Sequence, residues 1–341
     1  MIEIVLLVFS LLSILLSAEI FTNGVESLGK RLSLSQAVVG SILAAVGTAL
    51  PETILPIVAI LMRGGEAAKS IGVGAILGAP FMLSTLAFFL IGVTVLISYL
   101  RRKRKFELII EAHSMRRDLL FFVPMYGTAI FLPMVITGSR TFVAIALAVG
   151  YLVYAYFTFR GESADIMHTE ELYLKRVFRS LKRGRPAGKG EDATSVMLII
   201  TQVLGALAIM VGGAHTFVGS LEKLSHAWGV NPLIFALLIA PVATELPEKF
   251  NSITWTLKGR DTLAMGNVTG AMVFQSTFPV SVGLLFTDWH ISGLALLSAV
   301  LALASAVIAI VEVSLRGRLS PTTVLLAGGL YLVYAAAVFL G

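Results

Sequence analysis

The sequence predicts an all-α membrane protein of ten transmembrane helices, built as two inverted five-helix repeats. Three observations predict it: too little charge to coat a water-facing surface, ten apolar stretches of spanning length, and one motif that recurs in both halves. Of 341 residues, 57% are hydrophobic and 13% charged. A soluble domain carries about 25% charged residues, so a soluble enzyme and a disordered chain are both excluded. The net charge of +6 would point to nucleic acid in a soluble protein. In a membrane protein it records basic loops on one side of the bilayer, and no nucleic-acid partner is expected. The chain has no Cys, which removes disulfides and thiolate metal ligands. The first apolar stretch has no basic region ahead of it, so it reads as a spanning helix and not as a cleaved leader.

A spanning helix needs about 20 mostly apolar residues. Ten stretches qualify, near 2–26, 34–62, 70–99, 118–137, 141–159, 194–222, 231–257, 262–287, 291–314 and 321–340. Several exceed the minimum, which predicts tilt or breakage. The second carries Gly47-Thr48-Ala49-Leu50-Pro51-Glu52 at mid-span, and the seventh carries Ala243-Thr244-Glu245-Leu246-Pro247-Glu248. A proline there removes a backbone hydrogen bond and bends or breaks the helix. The third and eighth spans carry Pro80 and Pro279.

Lys and Arg are distributed unevenly among the connections. Those after odd-numbered spans hold 21, and those after even-numbered spans hold 4. By the positive-inside rule the odd connections are cytoplasmic and both termini external, in a multi-pass protein of the cell membrane. Two connections are long. The first opens with Arg101-Arg102-Lys103-Arg104-Lys105, a stop signal after span three or a contact for anionic lipid headgroups. The second, 160–193, is a cytoplasmic linker too small to be a catalytic domain. Its 169–182 stretch has a partial apolar stripe of Leu172, Val177, Phe178 and Leu181, as in an amphipathic helix lying on the leaflet.

The chain repeats itself. Moving 18–52 forward by 196 positions places Ala18 on Ala214, Phe21 on Phe217, Glu26 on Glu222, Thr48 on Thr244, and Leu50-Pro51-Glu52 on Leu246-Pro247-Glu248. A shift of 192 places Gly74 and Gly78 on Gly266 and Gly270. The repeats are 1–159 and 194–341. Each holds five spans, an odd number, so the second copy enters the membrane with opposite polarity. An inverted repeat of this kind is typical of secondary transporters, with a site at mid-membrane where the repeats meet.

A carboxylate near the bilayer centre costs several kcal/mol if it stays charged and unpaired. Glu52 and Glu248 stand there, each directly after a proline. With the threonine oxygens and the carbonyls that proline frees, they would form an all-oxygen cage suited to a hard cation, Ca2+ or Na+. The plain alternative is a pair of protonated glutamates that join helices. Glu245 and Lys249 stand at i and i+4, where a Glu and a Lys pair. They read as an ion pair holding the helix break, as a fixed positive charge replacing a coupling ion, or as a proton carrier at Glu245.

These motifs resemble those of the cation/calcium antiporter superfamily, which includes the sodium/calcium exchangers. The two stretches at 47–52 and 243–248 are similar to its two Gly-Thr-Ser-x-Pro-Glu signatures. The stretches from Gly74 and from Gly266, with Asn267 and Gln275, are similar to its later Gly-Asn-x-x-Gly-Ser-Asn motifs. The resemblance covers nearly the whole chain. It implies ten helices in two inverted repeats, no enzyme activity and no cofactor. Its function would be Ca2+ exchange for Na+ or H+, with Glu52, Glu248 and backbone oxygens of Thr48 and Thr244 holding the metal. It also implies sodium ligands that this chain lacks. Their positions are Ala49, Glu245, Ala79, Ala271, Leu83 and Gln275, so three-sodium coupling is not expected. Asn267, Gln275, Glu245 and Lys249 are the candidates for coupling or tuning.

Other readings stay open: a transporter of the same fold for another cation or an organic ion, or a membrane sensor or scaffold. No Walker A, His-Glu-x-x-His or Gly-x-Ser-x-Gly sequence is present, so ATP-driven pumping and hydrolysis are not expected. The partners expected are the transported cations and lipid, with no need for an oligomer. His215 stands where the first repeat has Glu19. Glu26 and Glu222 recur near the ends of their spans, and Trp289, Tyr151, Tyr154 and Tyr156 read as interfacial aromatics. A single Cys introduced at Gly188 tests the topology. It should stay unlabelled when intact cells are treated with an impermeant maleimide, and labelling from outside would reverse the orientation.

Overall fold

The computed structural model describes residues 2–31, 49–161, 172–176 and 195–340, and all regular structure among them is helical. Helix α1 is Ile2–Arg31. Helix α2, Leu50–Ile57, continues through a π-helical turn, Val58–Arg63. Helix α3, Glu66–Met82, runs through a π-helical stretch, Leu83–Ala87, into α4, Phe88–Leu100. Helices α5, Ala112–Val135, and α6, Arg140–Gly161, complete the first half. The second half holds α7, Val196–Trp228, followed by the broken pair α8, Pro232–Thr244, and α9, Leu246–Leu257. It continues with a second broken pair, α10, Asp261–Gln275, and α11, Phe278–Phe286, then α12, Gly293–Arg316, and α13, Pro321–Leu340.

Among the described residues eight helices are long and apolar enough to cross a membrane. They fall on eight of the ten expected positions. At the seventh, α8 and α9 divide the crossing, and the apolar part is Pro232–Val242. At the second, residues 34–48 lie outside the described residues, as does Thr48. Most of the linker and of its expected amphipathic helix lies outside them too.

The helices sort into centre and rim. In α3–α4 and α10–α11 67% of the apolar window is buried, against 22% in α1, α6 and α13. The central pairs are therefore the two third-position helices of the repeats, which read as near-continuous apolar runs because every face meets protein. The rim helices turn large apolar side chains outward, as lipid requires. The packing is two-fold in kind. Helix α1 lies along its repeat mate α7, and α5 lies along its mate α12. The contact of α4 with α13 is mirrored by that of α11 with α6, and α3 with α12 by α10 with α5.

Helix α3 and helix α8 meet backbone to backbone. A Cβ at Gly74 would collide with the Leu233 carbonyl, and one at Gly78 with the Leu237 carbonyl and with Pro241 Cγ. The glycines are one helical turn apart, as are the leucines, so one small-residue stripe runs along α8 in the manner of a membrane Gly-x-x-x-Gly contact. Asn231 starts α8 by accepting from the Leu233 and Ile234 N–H groups, with Pro232 in the first turn.

Outside the spans, the basic run after α4 folds back on the second half. Arg104 reaches both carboxylate oxygens of Asp261 and the Thr256 carbonyl, and Asp261 accepts from the Ile109 N–H at 2.9 Å. The hydrogen-bonded Asp261 carboxylate holds the Arg104 guanidinium above its ordinary pKa. Arg104 is thus more than a topological charge: it ties the loop to the start of α10. Residues 173–176 form a short helix docked on α1 and α7. The Tyr173 N–H donates to Asn23 Oδ1 at 3.1 Å, the Leu174 N–H to Gln202 Oε1 at 2.9 Å, and the Tyr173 hydroxyl to Glu19 at 2.8 Å.

The interfacial-aromatic reading holds only for Tyr156, which is 52% exposed. Trp289 is buried and donates to the Ala129 carbonyl at 3.0 Å. Tyr154 is buried with its hydroxyl 3.1 Å from Asp118, and Tyr151 packs edge-on against Phe274. Internal polar partners keep Trp289 and Tyr154 inside the protein.

The Gly78→Ala substitution should push α3 from α8 and cost about 1–3 kcal/mol. A thermal-unfolding measurement in detergent should show a clear fall in midpoint for Gly78→Ala and none for Gly127→Ala, whose added methyl meets nothing within 4 Å.

Candidate functional site

The two Leu-Pro-Glu motifs each start a helix. Ala49 (φ −84°, ψ 2°) precedes α2 and Glu245 (φ −90°, ψ 11°) precedes α9, so residues 196 positions apart share one backbone conformation. Pro51 and Pro247 then fall in the first turn, where a missing N–H costs nothing and the fixed φ suits a helix. In the seventh crossing the proline breaks the helix outright: α8 ends at Thr244 and α9 begins at Leu246. Glu52 and Glu248 occupy the first turns of the new helices, next to free N–H groups and the positive end of the helix dipole. Both are buried, at 6% and 4% exposure.

Glu52 faces the opposite half. Its Oε1 accepts from Gln275 Nε2 at 3.0 Å, at the end of α10. It shares a narrow crevice with Leu55, Ala75, Ala240, Pro241 and Thr244. Glu248 and Glu245 lie close enough to interact electrostatically with it. Among the described residues four buried acceptor oxygens here have no hydrogen-bond partner: Glu52 Oε2, Glu248 Oε2, Glu245 Oε1 and Gln275 Oε1. Buried acceptors without donors are costly, and a convergent set of them calls for a cation or protons. No group of three acidic, His or Cys side chains placed to hold a metal occurs among the described residues. A cation held here therefore takes two carboxylates together with amide oxygens, a donor set for a hard ion.

Lys249 is buried at 5% exposure. Its ammonium sits 2.8 Å from Glu245 Oε2 and donates to the Pro241 carbonyl at 3.2 Å, spanning the break between α8 and α9. Asn267 is a support and not a direct contact: its amide donates to the Glu248 carbonyl at 3.3 Å and to Ser252 Oγ at 3.2 Å, fixing α9 against α10. The Thr244 hydroxyl is used within its own helix, on the Ala240 carbonyl. Ala49, Ala79 and Leu83 are buried and bring no side-chain oxygen.

Three features escaped the sequence reading. Ser84-Thr85 and Ser276-Thr277 are related by the same 192-residue shift, are all fully buried, and mark the π-helical stretch in one half and the break in the other. Their hydroxyls return to carbonyls of the preceding turn. The repeat itself was the signal that could have found them. Asp118 on α5 is buried and accepts from Thr269 at 2.6 Å, from Tyr154 and from Arg117. It joins α5 and α6 to α10, and only the fold reveals that. Third, Arg63 lies over Gly219 of α7, donating to Glu222 at 3.3 Å and to the His215 carbonyl at 3.2 Å. Glu222 is thereby paired, and His215 is exposed.

The family model described as "Sodium/calcium exchanger protein" matches residues 2–160 and 198–340. An uncharacterized membrane protein of Methanocaldococcus jannaschii is 23% identical over 266 residues, 78% of this chain and 76% of that protein. Among solved structures, the H+/Ca2+ exchanger CAX superposes with a TM-score of 0.67 at 16% identity, covering 99% of this chain and 86% of that one. The sodium-calcium exchanger NCX_Mj superposes with a TM-score of 0.58 at 18% identity, covering 98% of each chain.

Proposed function

The chain belongs to the sodium/calcium exchanger family, and on that premise we propose that it exchanges Ca2+ for Na+ or H+ by alternating access. One observation carries the reading: two half-helices, one from each half of the chain, each present a buried carboxylate with an oxygen that no group among the described residues satisfies. Glu52 and Glu248 bind the divalent ion, and backbone oxygens of Thr48 and Thr244 complete its shell. The helix N-termini place backbone N–H groups and the positive end of the helix dipole beside both glutamates, and the Gln275 amide donates to Glu52 from the opposite half. The ion reaches the site from either side as the rim helices shift past the central α3–α4 and α10–α11. In this reading 1–159 and 194–341 are the working halves, 160–193 joins them on the cytoplasmic side, and both termini face outward.

Glu52→Gln and Glu248→Gln should each abolish Ca2+ flux in proteoliposomes while leaving the elution profile and thermal midpoint of the purified protein close to wild type. Amide replaces carboxylate at equal volume, so the fold persists and half of the ligand charge is lost. Near-wild-type flux in either variant refutes the assignment.

A further inference from the structure

We infer that Lys249 sets the fixed charge of the cation site at −2, so that exchange is electroneutral: one divalent cation against two monovalent cations. The inference rests on the cation-antiport reading and adds its charge balance.

The argument is a census of buried charge. Six acidic or basic side chains are buried among the described residues: Glu52, Asp118, Glu245, Glu248, Lys249 and Asp261. Asp118 is bonded to Arg117, and Asp261 to Arg104. Glu245 is bonded to Lys249, with both side chains inaccessible to solvent (0% and 6% exposed). Glu52 and Glu248 are left without a cationic partner. Residues 32–48, outside the described set, contain no Asp, Glu, Lys, Arg or His, so the first half of the second crossing cannot alter the balance. Counted with every one of these groups ionised, the buried side chains of the described residues leave −2 uncompensated.

A site of charge −2 is unfavourable in a low-dielectric interior, and so is one overfilled to +1. One Ca2+ or two Na+ ions bring it to zero. Only neutral forms pass cheaply through the occluded state, so the empty carrier is held back and exchange is enforced. Three monovalent cations would leave +1. Lys249 excludes that state by holding Glu245 at 2.8 Å, with the Pro241 carbonyl as its second anchor. Without the lysine the site would stand at −3 and would accept a third monovalent cation.

The test is Ca2+ exchange by the full-length protein in proteoliposomes, against Na+ in one set and a pH gradient in another, with voltage set by K+ and valinomycin. An electroneutral exchanger shows less than a twofold change in its balance-point Ca2+ gradient over about 100 mV. Carrying one net charge per cycle, as three-for-one exchange does, shifts that gradient about fifty-fold over about 100 mV. Lys249→Met should make exchange voltage-dependent, and Glu245→Gln with Lys249→Met should return it to voltage independence by restoring −2. The double variant decides the matter if the single one does not fold. A voltage-dependent wild type, or a voltage-dependent double variant, overturns the charge assignment alone. No divalent exchange under either gradient overturns the antiport reading and this inference with it.

Discussion

The arrangement of this protein follows from one constraint: two carboxylates must be kept where water cannot solvate them. Several kcal/mol stand against each. Helix continuity would make the problem worse, because an intact helix has no free N–H to offer. Breaking the crossing at Leu-Pro-Glu converts mid-membrane backbone into a helix N-terminus, and the carboxylate sits in its first turn. The proline is what makes the break inexpensive. Among the described residues one oxygen of each carboxylate still lacks a hydrogen-bond partner.

Inverted repetition places two such termini at one seam. The halves supply the same half-helix with opposite polarity, and the glycine stripe of α3 lets α8 approach until backbone touches backbone. Glu52 is then tied to α10 of the other half through Gln275. The repeats have diverged where they need not match: Gln275 corresponds to Leu83, and Glu245 to Ala49.

Much of this was legible in the sequence. Composition excluded water as solvent, and the 196-residue shift exposed the repeat and its two glutamates. The Glu245–Lys249 pair followed from helical spacing alone, and the structure shows it formed. What sequence did not reveal depends on which faces turn inward. Trp289 and Tyr154 look interfacial in one dimension and are internal in three, because their polar atoms meet Ala129 and Asp118. Asn267 read as a coupling or tuning residue, and only the fold reveals that its amide donates to the Glu248 backbone carbonyl. Arg104 read as one charge among five, and Asp261, 157 residues away, gives it a structural role.

The central claim is that one glutamate from each half serves a single shared cation. Calorimetric titration of the purified protein with Ca2+ tests it most directly, comparing wild type with Glu52→Gln and Glu248→Gln. One Ca2+ bound per chain, lost entirely in either variant, is the predicted result. Two sites in the wild type, or a variant that retains half of the binding, would contradict a shared site.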